Sequence, residues 1–309
     1  MNANTNAVSD SRFESQAIAD SPTRPTRPFF WSVRRELWEN RSIYIAPLAA
    51  AGLVVLATFF GAFRFAAFRG KGLLWAPDAM QQMKIVEQQC AFTALLIMGV
   101  TFVVAIFYCL DAIYGERRDR SIFFWKSLPV SDTTTVLAKA TIPLLIIPLL
   151  TFAITVVTQC LVLGIDAVTL AAHGQSLSVM RQIPLLQMEG GLLYHLIAVH
   201  SLWYAPIFAW LLLVSAWAPR VPLLWAIMPP LAVAIIEKIG FNTAHFINFL
   251  KSRVGGPPSG MSFAADMSGH SAFLNPGHFL TGPGLWGGLI ISALFLAAAI
   301  QLRRYRAPN

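Results

Sequence analysis

The 309 residues are 56% hydrophobic and only 12% charged. A soluble domain carries about twice that charge fraction, so a sizeable soluble domain is excluded and an all-α integral membrane protein is expected. The formal net charge of +8 does not point to nucleic acid, because no basic stripe lies on a polar domain; basic loops beside anionic membrane lipid account for it.

Residues 1–28 are polar, end in Pro22, Pro25 and Pro28, and hold no apolar core of a cleavable signal. They are expected to form a disordered polar cytoplasmic tail, and residues 29–309 a six-helix transmembrane domain. Residues 29–44 (FFWSVRRELWENRSIY) read as an N-terminal interfacial helix. Phe30, Val33 and Leu37 share one face at helical spacing, with Trp38 at its border, while Arg34, Arg35 and Glu39 take polar positions. Trp31 and Trp38 beside arginines suit the headgroup layer. The alternative is a plain extension of the first span.

Six spans follow, each near the roughly 20 residues needed to cross hydrocarbon: 43–63, 92–114, 142–165, 192–218, 222–239 and 285–302. Pro143 and Pro148 are expected to kink the third near its start. Lys and Arg at the span ends set orientation. Arg34, Arg35, Arg41, Arg117, Arg118, Arg120, Lys126, Lys139, Arg220, Arg303, Arg304 and Arg306 outnumber Arg64, Arg69, Lys71, Lys84, Arg181, Lys251 and Arg253. The bias places both termini in the cytoplasm, against the cluster Arg64, Arg69, Lys71. Spans four and five are joined by a tight turn around Arg220. Residues 251–284, rich in Gly, Pro and Ser, lie outside in this topology, either above the bilayer or re-entrant against other helices.

Chemistry is sparse. The one Gly-Lys pair, Gly70-Lys71, is followed by Gly72 and lacks the first glycine of a phosphate loop. Cys90, Cys109 and Cys160 have no CxxC spacing and read as buried, inert thiols. His195 and His200 are five residues apart, about 140° around an α-helix, and so do not share a face. With no His-Glu-x-x-His motif, metal ligands are not expected. His173, His245, His270 and His278 read as surface histidines. Asp111 and Glu237 are intramembrane polar candidates, although both can reach the interface, as can Lys238.

Residues 108–139 are the most informative stretch. Glu116, Arg117, Arg118, Asp119 and Arg120 are expected to face water, followed by Phe123-Phe124-Trp125, which suits a membrane surface better than a solvated loop. Pro129 ends this segment, and Ser131 is placed to cap the next helix with Asp132 in its first turn. An ordinary positive-inside loop is the plainer alternative.

The run Asp111-Ala-Ile-Tyr-Gly-Glu-Arg-Arg-Asp-Arg-Ser-Ile-Phe-Phe-Trp-Lys-Ser-Leu-Pro-Val-Ser-Asp132 resembles the membrane subunit of bacterial ABC transporters of the ABC-2 permease type. The tight likeness covers this stretch alone; the general architecture extends from Phe29 onward. The resemblance implies a multi-pass permease subunit of an ATP-driven exporter in the inner membrane, paired with a second permease copy as a homodimer or paired permease. A separate cytoplasmic ATPase subunit would carry ATP and Mg, so this chain would bind no cofactor and would not itself be an enzyme. It also implies that Glu116, Arg117, Arg118, Asp119, Arg120, Ser121, Ile122, Phe123 and Phe124 form the ATPase-coupling helix, with Arg220 a secondary cytoplasmic contact. Membrane lipid is the remaining partner. The substrate stays open among a hydrophobic peptide or antibiotic, a lipid-linked molecule and an amphipathic toxin. The rival classes are a membrane-embedded enzyme using His195, His200, Asp111 or Glu237, and a non-transporting membrane sensor.

Overall fold

The structure is a computed structural model that describes residues 27–65, 79–119, 121, 130–172, 185–255 and 279–305. Among the described residues every regular element is helical. Helix α1 (Pro28–Glu39) opens with proline at its first position, where a missing N–H costs nothing. It stops at Asn40, whose backbone N–H and side-chain Nδ2 both donate to the Glu36 carbonyl. The single helix expected over 29–44 is therefore broken, and α2 (Ser42–Phe65) begins separately. Next come α3 (Ala79–Asp111) and a five-residue α4 (Tyr114–Arg118). The third span begins ten residues earlier than expected, as α5 (Asp132–Thr141). It widens into a π-helical stretch at Ile142–Ile146 and continues as α6 (Ile147–Ala172).

The widening has a local cause. Pro143 and Pro148 lack donors, and the Ile147 N–H reaches back five residues to the Ile142 carbonyl. A second π-helical stretch, Leu196–Trp203, lies between α7 (Leu185–His195) and α8 (Ala205–Trp217). The axis bends there by 46°, just before Pro206, which cannot donate into the preceding turn. Helices α9 (Pro222–Phe241), α10 (His245–Val254) and α11 (Pro283–Tyr305) complete the described chain.

Among the described residues five helices are long and apolar enough to cross a membrane, or six when the bent pair formed by Leu185–Trp203 and Ala205–Trp217 is one span. The chain is thus a multi-pass membrane protein by length and composition. Large apolar side chains on the outside of the bundle, such as Leu53, Phe60, Phe107 and Ile290, fit lipid rather than water. The most extensive packing is α8 along α11, then α2 against α6 and α3. The largest core cluster includes Ile43, Ala105, Tyr108, Ile142, Phe208 and Leu212. Helix α9 sits at the periphery, with Ala226 its one buried residue. Cys90 and Cys109 are buried free thiols; Cys160 is exposed on the bundle surface, so it departs from the buried state expected of all three.

Candidate functional site

The α4 end of the bundle holds a charge cluster to which helices α1, α3, α4, α5 and α11 all contribute. Glu36 of α1, Glu116 of α4, Lys139 of α5 and Arg303 of α11 are each at most 7% exposed. Lys139 Nζ lies 2.7 Å from Glu36 Oε1 and 3.1 Å from Glu116 Oε1. Arg35 Nη2 donates to both Glu36 and Glu116 at 2.8 Å. Arg303 donates from Nη1 to Glu116 Oε2 and from Nε to Asp132 Oδ1, the latter at 3.0 Å. Tyr108 of α3 donates its hydroxyl to Glu36 Oε2 at 3.0 Å.

The cluster balances: Glu36, Glu116 and Asp132 stand against Arg35, Lys139 and Arg303. Buried charges survive only when paired and hydrogen-bonded, and this arrangement meets that condition across α1, α3, α4, α5 and α11. At its rim, burial pulls the Arg35 guanidinium down, but Glu36, Glu116 and Glu39 outweigh this and hold it above the ordinary arginine value. Burial raises the Glu39 carboxyl above its ordinary value despite the opposing Arg35 charge.

The expectation that Glu116, Arg117, Arg118 and Asp119 all face water is corrected here. Glu116 points into the cluster. Arg117 turns the other way and donates to the Ser215 and Ala218 carbonyls at 2.8 and 2.7 Å, satisfying acceptors at the C-terminal end of α8. Arg118 and Asp119 are exposed and pair with each other at 3.0 Å. Ser121 Oγ reaches the Glu116 carbonyl at 3.4 Å. Arg120, Ile122, Phe123 and Phe124 lie outside the described residues, as do residues 1–26, Arg69, Lys71, Lys126, Arg181, His173, His270, His278, Arg306 and the loop 256–278.

A second tie fixes α4. Ser215 Oγ of α8, fully buried, accepts from the backbone N–H groups of Ile113 at 3.0 Å and Tyr114 at 2.8 Å. These donors open α4 and have no partner within it. The exposed Arg220 lies in the turn after α8, where Val221 adopts φ 45°, so the two regions that the sequence marks as contacts, α4 and this turn, are neighbours. On the next helix, Ser131 Oγ accepts from the Thr134 N–H at 3.1 Å and caps α5.

The remaining predicted residues do not join the cluster. In α1, Leu37 packs half-buried against the core while Trp31, Arg34 and Trp38 are exposed, with the Arg34 guanidinium over both tryptophan rings. Asp111 is exposed at the end of α3. Glu237 caps α10, accepting from the N–H groups of His245 and Phe246 at 2.7 and 2.8 Å and from Thr243 Oγ1 at 2.9 Å. His195 and His200 are buried at 6% and 4% exposure. His195 ends α7 and His200 lies in the π-helical stretch after it, so the 3.6-residue angle between them does not hold there.

At the opposite end, Arg253 of α10 is 5% exposed and packs over the Trp203 ring at 4.2 Å. It donates to the Gly284 carbonyl, and Trp203 Nε1 donates to the Arg253 carbonyl at 3.0 Å. Burial lowers its guanidinium from the ordinary value. No family model matches the chain, and no curated protein or solved structure matches it either.

Proposed function

We propose that the chain is the membrane-spanning permease subunit of an ATP-driven exporter of the ABC-2 type. It works in a bacterial inner membrane with both termini cytoplasmic, beside a second permease copy. A separate ATPase subunit docks on the segment that begins at α4 and supplies ATP and Mg. The segment from Glu116 to Phe124 acts as the coupling element, and Arg220 makes a secondary contact.

One observation carries this reading. Glu116, the first residue of that segment, is ion-paired at once to α1 through Arg35, to α5 through Lys139 and to α11 through Arg303. A load on α4 therefore bears on three helices through short, buried contacts rather than through a flexible loop. A partner's cycle moves a permease only through contacts that differ between its states. The exposed Arg118–Asp119 pair offers a polar surface for such contacts.

The test is purification of the tagged chain from its native membrane in mild detergent, followed by assay of bound ATPase. A stoichiometric ATPase is expected. A folded chain that repeatedly brings down none would refute the reading.

A further inference from the structure

The charge cluster leaves aside a deeply buried histidine of the bundle. His200 is 4% exposed, and neither Nδ1 nor Nε2 has a hydrogen-bond partner among the described residues. Its ring meets Phe102 of α3 edge-on, with centroids 5.3 Å apart at 78°, and Tyr204 at 5.9 Å and 83°. Neither contact offers a ring nitrogen an oxygen or nitrogen partner. A neutral imidazole carries one donor and one acceptor. Leaving both unmade in an apolar interior is a cost that folded proteins avoid.

Two further features point the same way. Thr155 of α6 is fully buried and its Oγ1 is also unpartnered among the described residues. Helix α6 packs directly against the π-helical stretch that bears His200. Such stretches interrupt α-helices mostly where a function is served, and here the wide turn delivers an imidazole to the interior.

We propose that His200 anchors an internal water site inside the membrane-spanning bundle, at the meeting of α3, α6 and the Leu196–Trp203 stretch. The occupant must be small, neutral, and able to donate and accept at once, because the imidazole presents one of each. Water meets all three conditions, and a buried water takes two to four polar partners. The site is independent of the permease reading, because it rests on His200 and its surroundings alone.

The test is proton-detected solid-state NMR of the full chain in lipid bilayers, with nitrogen-15 in its six histidines. The ring signals lost in His200→Gln are those of His200; His200→Phe gives the assignment should the first variant not fold. The expected result is a cross-peak between the His200 ring N–H and water at a mixing time as short as that needed for the exposed His245. A His200 ring with no water cross-peak at that mixing time, or with its N–H bonded to a protein carbonyl, overturns the proposal.

Discussion

Replacing Lys139 with methionine removes one positive charge from a balanced set and leaves the surroundings about the same size. Glu36 and Glu116 then share Arg35, with Arg303 and the Tyr108 hydroxyl as their other donors. Three carboxylates then face two cations, and Glu36, Glu116 and Arg303 among them are buried. Breaking a buried pair by deleting one partner costs about 3–5 kcal/mol, whereas removing both partners is often near neutral. Lys139 is 1% exposed and sits within 3.1 Å of two carboxylates, so the upper half of that range is expected for Lys139→Met. Adding Glu36→Gln restores the balance and keeps an acceptor for Tyr108; the double variant should recover all but about 1–2 kcal/mol. The assay is unfolding of the purified chain in micelles, followed by tryptophan fluorescence, with the four proteins compared as a double-mutant cycle. A loss below about 1 kcal/mol for Lys139→Met would refute the reasoning. So would a double variant whose loss equals the sum of the single ones, because the cluster would then not act as a unit.

Two further outcomes follow from single contacts. Ser215→Ala strands the buried N–H groups of Ile113 and Tyr114 and should cost about 2–3 kcal/mol, with faster hydrogen exchange confined to the start of α4; unchanged exchange there would contradict the tie. Gly288→Ala puts a Cβ 2.6 Å from Arg253 Nη2, and the guanidinium, held over Trp203, has little room to retreat. The cost is about 1–3 kcal/mol and should largely vanish when Arg253 is also changed to methionine; persistence of the loss would place the strain elsewhere.

The membrane class was legible because hydrocarbon imposes length and composition directly. Span ends were less so. The start of the third span was set too late because Asp132 and Lys139 look like loop residues, yet one pairs with Arg303 and the other is buried between two carboxylates. The cluster itself left a faint signal. Glu36 falls three residues after Val33 on the inward side of α1, and Arg303 follows Ser292, Leu296 and Ala299 at helical spacing on α11. A charge on an apolar face requires a buried partner, but pairing across 187 positions, as between Glu116 and Arg303, is invisible to local pattern. The histidine pair illustrates a different limit: 3.6-residue geometry does not hold where the backbone bonds five residues back. Ser131 was read correctly as a cap because capping is a local interaction.

The central claim is that the segment starting at α4 receives an ATPase. A photo-crosslinking residue at Asp119, which is exposed and outside the buried cluster, tests it in native membranes, with Leu53 on the outside of α2 as the control position. The account predicts a crosslink from position 119 to a soluble ATPase identified by mass spectrometry, changed in yield by ATP and absent from position 53. Crosslinks from 119 to lipid alone would contradict it.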